Sequence, residues 1–279
     1  MKTVFSKSLL AAALAATMGI ASTSAMATLN PFTINETSVS GAGANIINNA
    51  GGFTGSYTEV ATFDGAGNFY TSILWQATSI YNTSSSPVPN QIGSFTPNQY
   101  GLYGMFQGSG TYSTSGSGVT TFNFAPSGSM NVWIDPSSNT TFAAPLTGNL
   151  AWTAASAGDD NLVASGVPAT GTGTLNPFLS TCLSAVNPGG TGNYCGSFGT
   201  TTTFNLTALG SAYFTSPAPF YNMSFESGQL ENFTPSATQT IMGSLNVEFG
   251  NRVPEPASVA LLGIGLVGLS LSLRRRKQG

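Results

Sequence analysis

The sequence predicts an all-β body, a β-sandwich or jelly roll, between an N-terminal signal peptide and a single C-terminal transmembrane tail. Three observations predict it. Ser, Thr, Gly and Asn dominate the middle of the chain while good helix formers are sparse there. Short runs of alternating apolar and polar residues recur between turn signals. Uncharged apolar stretches stand at the two ends, each beside basic residues.

Residues 1–27 read as a secretory signal peptide. Lys2 and Lys7 form the positive n-region, Ser8 to Ile20 the apolar h-region, and Ala25-Met26-Ala27 a small-x-small cleavage site that frees Thr28. The body then spans residues 28–252, roughly 225 residues, enough for one β-rich domain or two small ones.

Within the body the expected strands are Ser56 to Phe63, Asn68 to Gln76, Gly118 to Phe124, Met130 to Ile134, Thr200 to Leu206, Phe220 to Phe225 and Ser244 to Phe249. In the last of these, Leu245, Val247 and Phe249 alternate with Asn246 and Glu248, the pattern of a half-buried strand. Asp64-Gly65, Ser127-Gly128 and Ser227-Gly228 are the expected tight turns. Several short strands at this spacing favour two packed sheets, which limit exposed edges.

Charge excludes several function classes. Two of the seven basic residues lie in the signal peptide and four in the tail, so the body keeps Arg252 alone against nine acids, a net charge of −8. It has no lysine and no histidine. Nucleic-acid binding depends on phosphate neutralisation by Lys and Arg and is excluded, as is catalysis through a histidine base. Glu226 and Glu231 straddle a Ser-Gly pair, where charges mark a solvated hairpin, and no motif assigns either a catalytic role. No catalytic residue and no enzyme activity are predicted.

Cys182 and Cys195 are the two cysteines, and an exported pair in an oxidising compartment bonds. Pro188, Gly189, Gly190 and Gly192 make the intervening loop a turn. Closing a loop of this size stabilises by about 3 kcal/mol in the chain-entropy account. No cofactor is required by any motif. Three oxygen-rich loops, Asp64 to Asn68, Asp135 to Asn139 and Asp159 to Asn161, are of the kind Ca²⁺ accepts, though none has the spacing of an EF-hand loop. Asp159 and Asp160 are the first candidates for a metal, against the simpler account that Asp and Asn favour turns. Trp75, Trp133 and Trp152, with Tyr100, Tyr103, Tyr112, Tyr213 and Tyr221, allow a sugar-stacking platform on a sheet face; a buried aromatic core is the competing fate.

The C-terminal residues 253–279 differ in kind from the body. Val253, Pro254, Glu255 and Pro256 run into the uncharged stretch 257–273, and then into Arg274, Arg275, Arg276 and Lys277. As a helix the 17 residues from Ala257 to Leu273 reach about 25 Å. That falls short of the roughly 30 Å hydrocarbon core, a gap that bilayer thinning and snorkelling of Arg274 close. The basic end at 274–277 holds the C-terminus in the cytoplasm and the body outside. From the residues alone, a permanent stop-transfer anchor remains the alternative.

This tail resembles the PEP-CTERM sorting signal, in which a Pro-Glu-Pro motif, a short membrane span and a basic end follow one another at the extreme C-terminus. The resemblance implies recognition by an exosortase-type membrane enzyme, cleavage near the motif, transient residence in the inner membrane, and delivery to the cell surface or extracellular matrix. The segments NPFTINETSV, SYTEVATFDGAGNFY, NQYGLYGMFQGSGTY, MNVWIDPSSNTTF, DDNLVASG and the stretch from Thr203 to Gly250 are similar to the flocculation-associated PEP-CTERM family. That similarity implies a surface or matrix protein that supports flocculation with exopolysaccharide. The alternative is a lectin-like module that binds a glycan through the aromatic face.

Overall fold

Long strands that pair in chain order curl this chain into a ring. The structure is a computed structural model describing residues 29–93, 98–182 and 194–250. Its strands are β1 (Phe32–Asn35), β2 (Ile46–Phe63), β3 (Asn68–Asn82), β4 (Pro87–Val88), β5 (Gly101–Thr114), β6 (Thr120–Asp135), β7 (Thr141–Ala143), β8 (Thr153–Ala155), β9 (Asn161–Gly166), β10 (Pro168–Leu175), β11 (Gly196–Thr202), β12 (Asn205–Leu206), β13 (Phe214–Ser216), β14 (Met223–Ser227) and β15 (Thr238–Phe249). A 3-10 turn, Glu36–Ser38, follows β1, and a short helix, α1 (Ala208–Tyr213), precedes β13. The signal peptide, the sorting motif Val253 to Pro256, the span 257–273 and the basic end 274–277 lie outside the described residues. Among the described residues no helix is long and apolar enough to cross a membrane.

The strands β2, β3, β5, β6, β10, β11, β14 and β15 each pair antiparallel with the next in that order. β15 then pairs back onto β2, from Thr238↔Thr62 to Glu248↔Gly52, and closes an eight-stranded barrel. The expected sandwich or jelly roll is thus replaced by one continuous sheet. The reason lies in strand length and bulges. β2 runs 18 residues and β6 runs 16, and the register slips at Thr54/Gly55 on β2. Such bulges bend and twist a sheet until its ends meet.

Ser127-Gly128 shows how a turn signal became a bulge. Gly128 sits inside β6 with φ +124, and a Cβ there would lie 2.0 Å from the Gln107 carbonyl oxygen. The pairing with β5 shifts at Gly108/Gly110 beside it. The expected strands Gly118 to Phe124 and Met130 to Ile134 are therefore parts of one. Asp64-Gly65 does turn: the Asp64 carboxylate accepts from the Ala66 and Asn68 amides at 2.8 and 2.9 Å, joining β2 to β3. Ser227-Gly228 only ends β14, since the chain uses residues 228–237 to reach β15. Thr200 to Leu206 splits into β11 and β12, the latter paired with β9.

Period-two alternation fills the lumen. Phe53, Tyr57, Phe69, Ile73, Trp75, Phe106, Phe122 and Phe225 are buried. Their rings meet edge-on, as in Phe53–Trp75 at 6.2 Å and Phe106–Phe225 at 5.8 Å. Each such side chain removed from water contributes about 2–3 kcal/mol. β10 reads Thr-Gly-Thr-Gly-Thr, with Thr170, Thr172 and Thr174 exposed and the glycines turned inward. A Cβ at Gly173 would stand 3.0 Å from the Phe198 Cβ and 3.4 Å from the Phe122 ring, so glycine is what admits those rings. The wall is polar outside and apolar inside, the reverse of a membrane-spanning barrel.

The two ends of the barrel are closed differently. At the end where β15 finishes, β1 and β13 pair across Ile34 and Phe214, and the rings of Phe32, Phe214, Phe220 and Phe249 pack together. Asn30 Nδ2 donates to the Phe249 carbonyl at 3.3 Å, which brings the first and last described segments side by side. At the other end Phe63, Phe122 and Phe233 pack in a triangle.

Candidate functional site

Residues 29–250 contain no Lys, Arg or His. Among the described residues a carboxylate is therefore satisfied by hydrogen-bond donors, by water or by an added cation. Three of them gather on the outer wall, and a small flap explains why. The hairpin β7–β8 lies over β2, β3 and β5, where Trp152 and Phe142 cover Val60, Leu74 and Tyr103. Trp152 Nε1 donates to the Ser72 carbonyl at 3.1 Å, and Tyr103 stacks on Trp133 with centroids 5.4 Å apart.

At the root of this flap, Asp135, Asp159 and Asp160 each offer a carboxylate oxygen, all within 4.8 Å of one another. Asp135, the last residue of β6, is buried and accepts from the Thr140 amide at 2.9 Å and the Ser137 amide at 3.2 Å. Asp160 accepts from the Thr140 hydroxyl at 2.9 Å and from the Tyr103 hydroxyl at 2.5 Å. Burial first, and then the bond to Asp160, push the ionisation of Tyr103 well above that of a free tyrosine. The structure thus brings two of the three oxygen-rich loops together, adding Asp135 to the expected pair Asp159 and Asp160. The Asp64 loop remains apart as a hairpin turn. Its fully exposed carboxyl is held below the usual range by the Asn68 side chain and the turn amides. An oxygen-only donor set on adjacent loops is the chemistry Ca²⁺ prefers.

Two further carboxylates are buried. Glu36 accepts from the Gln91 amide and the Tyr100 hydroxyl, both at 2.8 Å, and from Asn45 Nδ2 at 2.5 Å. Tyr100 spends its one proton on Glu36, so the Tyr213 hydroxyl, 2.6 Å away, donates to Tyr100. This chain of three ties the 3-10 turn to α1 and seals the end where β15 finishes. Glu59 points into the lumen from β2 and accepts from the Thr71 hydroxyl at 2.5 Å. Burial raises its pKa to about 7, with the Thr71 bond opposing. Sequence reasoning named neither as a site, although Glu59 keeps the same parity as Tyr57 and Phe63 along β2.

Cys182 and Cys195 are bonded, with Cα atoms 4.4 Å apart, and both are buried. The Asn176 amide donates to the Cys195 carbonyl at 2.7 Å and the Cys195 amide to Leu230 at 3.0 Å. The bond therefore fixes the end of β10 to the start of β11. The aromatic platform does not form: Trp75 and Trp152 are 2% and 8% exposed, Tyr100, Tyr103 and Tyr213 are buried, and Trp133, Tyr112 and Tyr221 are half-buried. The core won these rings.

What the geometry defines is an anionic, polar-walled β-barrel with a side-chain-filled lumen. A family model described as the PEP-CTERM protein-sorting motif matches residues 252–277, so the chain carries a PEP-CTERM sorting signal. That motif implies export, a membrane-anchored precursor and processing by an exosortase-type enzyme. No curated protein and no solved structure matches the chain.

Proposed function

We propose that this is a cell-surface or extracellular-matrix protein that supports aggregation of cells together with exopolysaccharide, and that its body is structural rather than catalytic. The observation that carries the reading is a PEP-CTERM sorting signal behind a barrel whose lumen is packed with rings. A filled lumen leaves the outer wall as the working surface. The excess of carboxylates over cations suits bridging by divalent ions, with Asp135, Asp159 and Asp160 as the place where calcium is held. The precursor sits with its basic end in the cytoplasm until the sorting enzyme releases the body.

Deletion of the gene tests the aggregation role: flocs disperse while polymer synthesis continues, and flocculation that survives deletion overturns the reading. The trafficking half is tested by the mass and location of the protein in cells with and without the sorting enzyme. Trypsin offers an independent check, because Arg252 is the first basic residue after Lys7. It sheds the body from an unprocessed precursor as one fragment.

A further inference from the structure

One row of side chains crosses most of the outer wall. Asn123, Thr172, Gly199, Glu226, Asn246 and Thr54 are register partners on β6, β10, β11, β14, β15 and β2. Five inter-strand spacings of about 4.8 Å make the row about 24 Å long. Gly199 leaves a gap in its middle, which opens as a depression of about 500 Å³ walled by Thr170, Thr172, Thr174, Ser197 and Thr201. A second depression of about 390 Å³ meets it at Glu226 and Gly228, and is walled by Thr54, Gln229, Ser244, Asn246 and Tyr194. Tyr194 is 52% exposed, with its hydroxyl accepting from Gln229 Nε2 at 3.5 Å.

We infer that this trough binds a neutral polysaccharide chain, with Tyr194 as the ring on which a sugar stacks. The inference rests on the aggregation reading and names the surface that serves it. The wall offers hydroxyls and amides, which donate and accept as sugar hydroxyls do. Its carboxylate, Glu226, repels an anionic polymer, and no cation among the described residues stands by to neutralise one. An extended peptide has no place here, because the strands under the trough are paired on both sides and leave no edge to extend. An exposed aromatic ring beside hydroxyls is the pairing a sugar uses, with its apolar face on the ring and its rim in the polar wall. Tyr194 stands beside the start of β11, at the end of the barrel opposite the finish of β15.

The test uses the surface-released chain purified from cells and run by affinity electrophoresis through gels containing dextran, galactomannan, xyloglucan or alginate. At least one neutral polymer retards the chain and alginate does not. Tyr194→Ala, and separately Thr172→Val combined with Thr174→Val, each weaken that retardation at least tenfold. Tyr70→Ala, which removes an exposed ring from β3 on the other side of the barrel, leaves it unchanged. Thermal melting that matches wild type certifies each variant as folded. Retardation by no neutral polymer, stronger retardation by alginate, or trough variants retarded as strongly as wild type overturns the inference. Complementation of the deletion strain separates the two readings. If wild type and both variants restore flocs equally, the trough is wrong and the aggregation role stands. If deletion never dispersed the flocs, the aggregation role fails and the gels alone decide the trough.

Discussion

Glu36 and Glu59 are both buried, and no cation is present among the described residues to pair with either, yet their surroundings differ sharply. Glu36, at the barrel end where β15 finishes, collects a backbone amide, a side-chain amide and a phenol. Glu59, part-way along the lumen among rings, has the Thr71 hydroxyl, and its pKa rises to about 7. A buried carboxylate is tolerated through the donors aimed at it, and where donors are few it is tolerated by holding its proton. The first group is a structural knot and the second a pH-dependent weakness.

Removing the knot has the largest expected effect. Glu36→Leu leaves the Gln91 amide, the Asn45 amide and the Tyr100 hydroxyl without their acceptor, and costs about 4 kcal/mol in denaturant unfolding. A loss under about 1 kcal/mol would erase the contrast between the two glutamates. Glu59→Gln does the opposite. Between pH 4.5 and about 7 the folded state binds the Glu59 proton more tightly than the unfolded chain does, so stability falls as pH rises through that window. The Gln variant is free of that fall and exceeds wild type by about 3 kcal/mol at pH 8, with little difference at pH 4. Urea midpoints at the two pH values read this directly, and an equal difference at both would sink it.

Tyr100→Phe sharpens the first half of the comparison, since it keeps the ring and removes the hydroxyl between Glu36 and Tyr213. About 1.5 kcal/mol is expected. Calcium probes the third arrangement, carboxylates that face one another. At tenfold excess over its dissociation constant, binding to Asp135, Asp159 and Asp160 adds about 1.4 kcal/mol and raises the melting temperature. Asp160→Asn reduces that gain, Glu59→Gln keeps it, and chelation reverses it in wild type; a melting temperature indifferent to calcium removes the metal from the site.

Local features were legible in the sequence where one residue's chemistry decides them. Alternation placed Leu245, Val247 and Phe249 inward, Asp64-Gly65 announced its hairpin, and two exported cysteines announced their bond. Closure of the barrel was not legible, because it depends on β15 meeting β2 from more than 170 residues away in the sequence. The same limit hid the role of Gly128: a glycine demanded by the carbonyl of a neighbouring strand looks, in one dimension, like a glycine in a turn. Asp159 and Asp160 stood out as an oxygen-rich loop, but their proximity to Asp135 follows from how β6, the flap and β9 fold back on each other. The aromatic residues misled because a ring's fate depends on strand parity: along β3, Trp75 falls inward with Ile73 while Tyr70 falls outward.

The closure of the barrel has a mechanical consequence. β15 is the strand nearest the sorting tail in sequence, and β2, against which it runs antiparallel, goes on to pair with β1. Any load that cells impose on the body while it is anchored reaches the tail along the axis of β15. Antiparallel hydrogen bonds pulled along the strand share such a force in parallel, whereas bonds at a free edge would peel one by one. The strand that completes the ring is also the one that can carry tension.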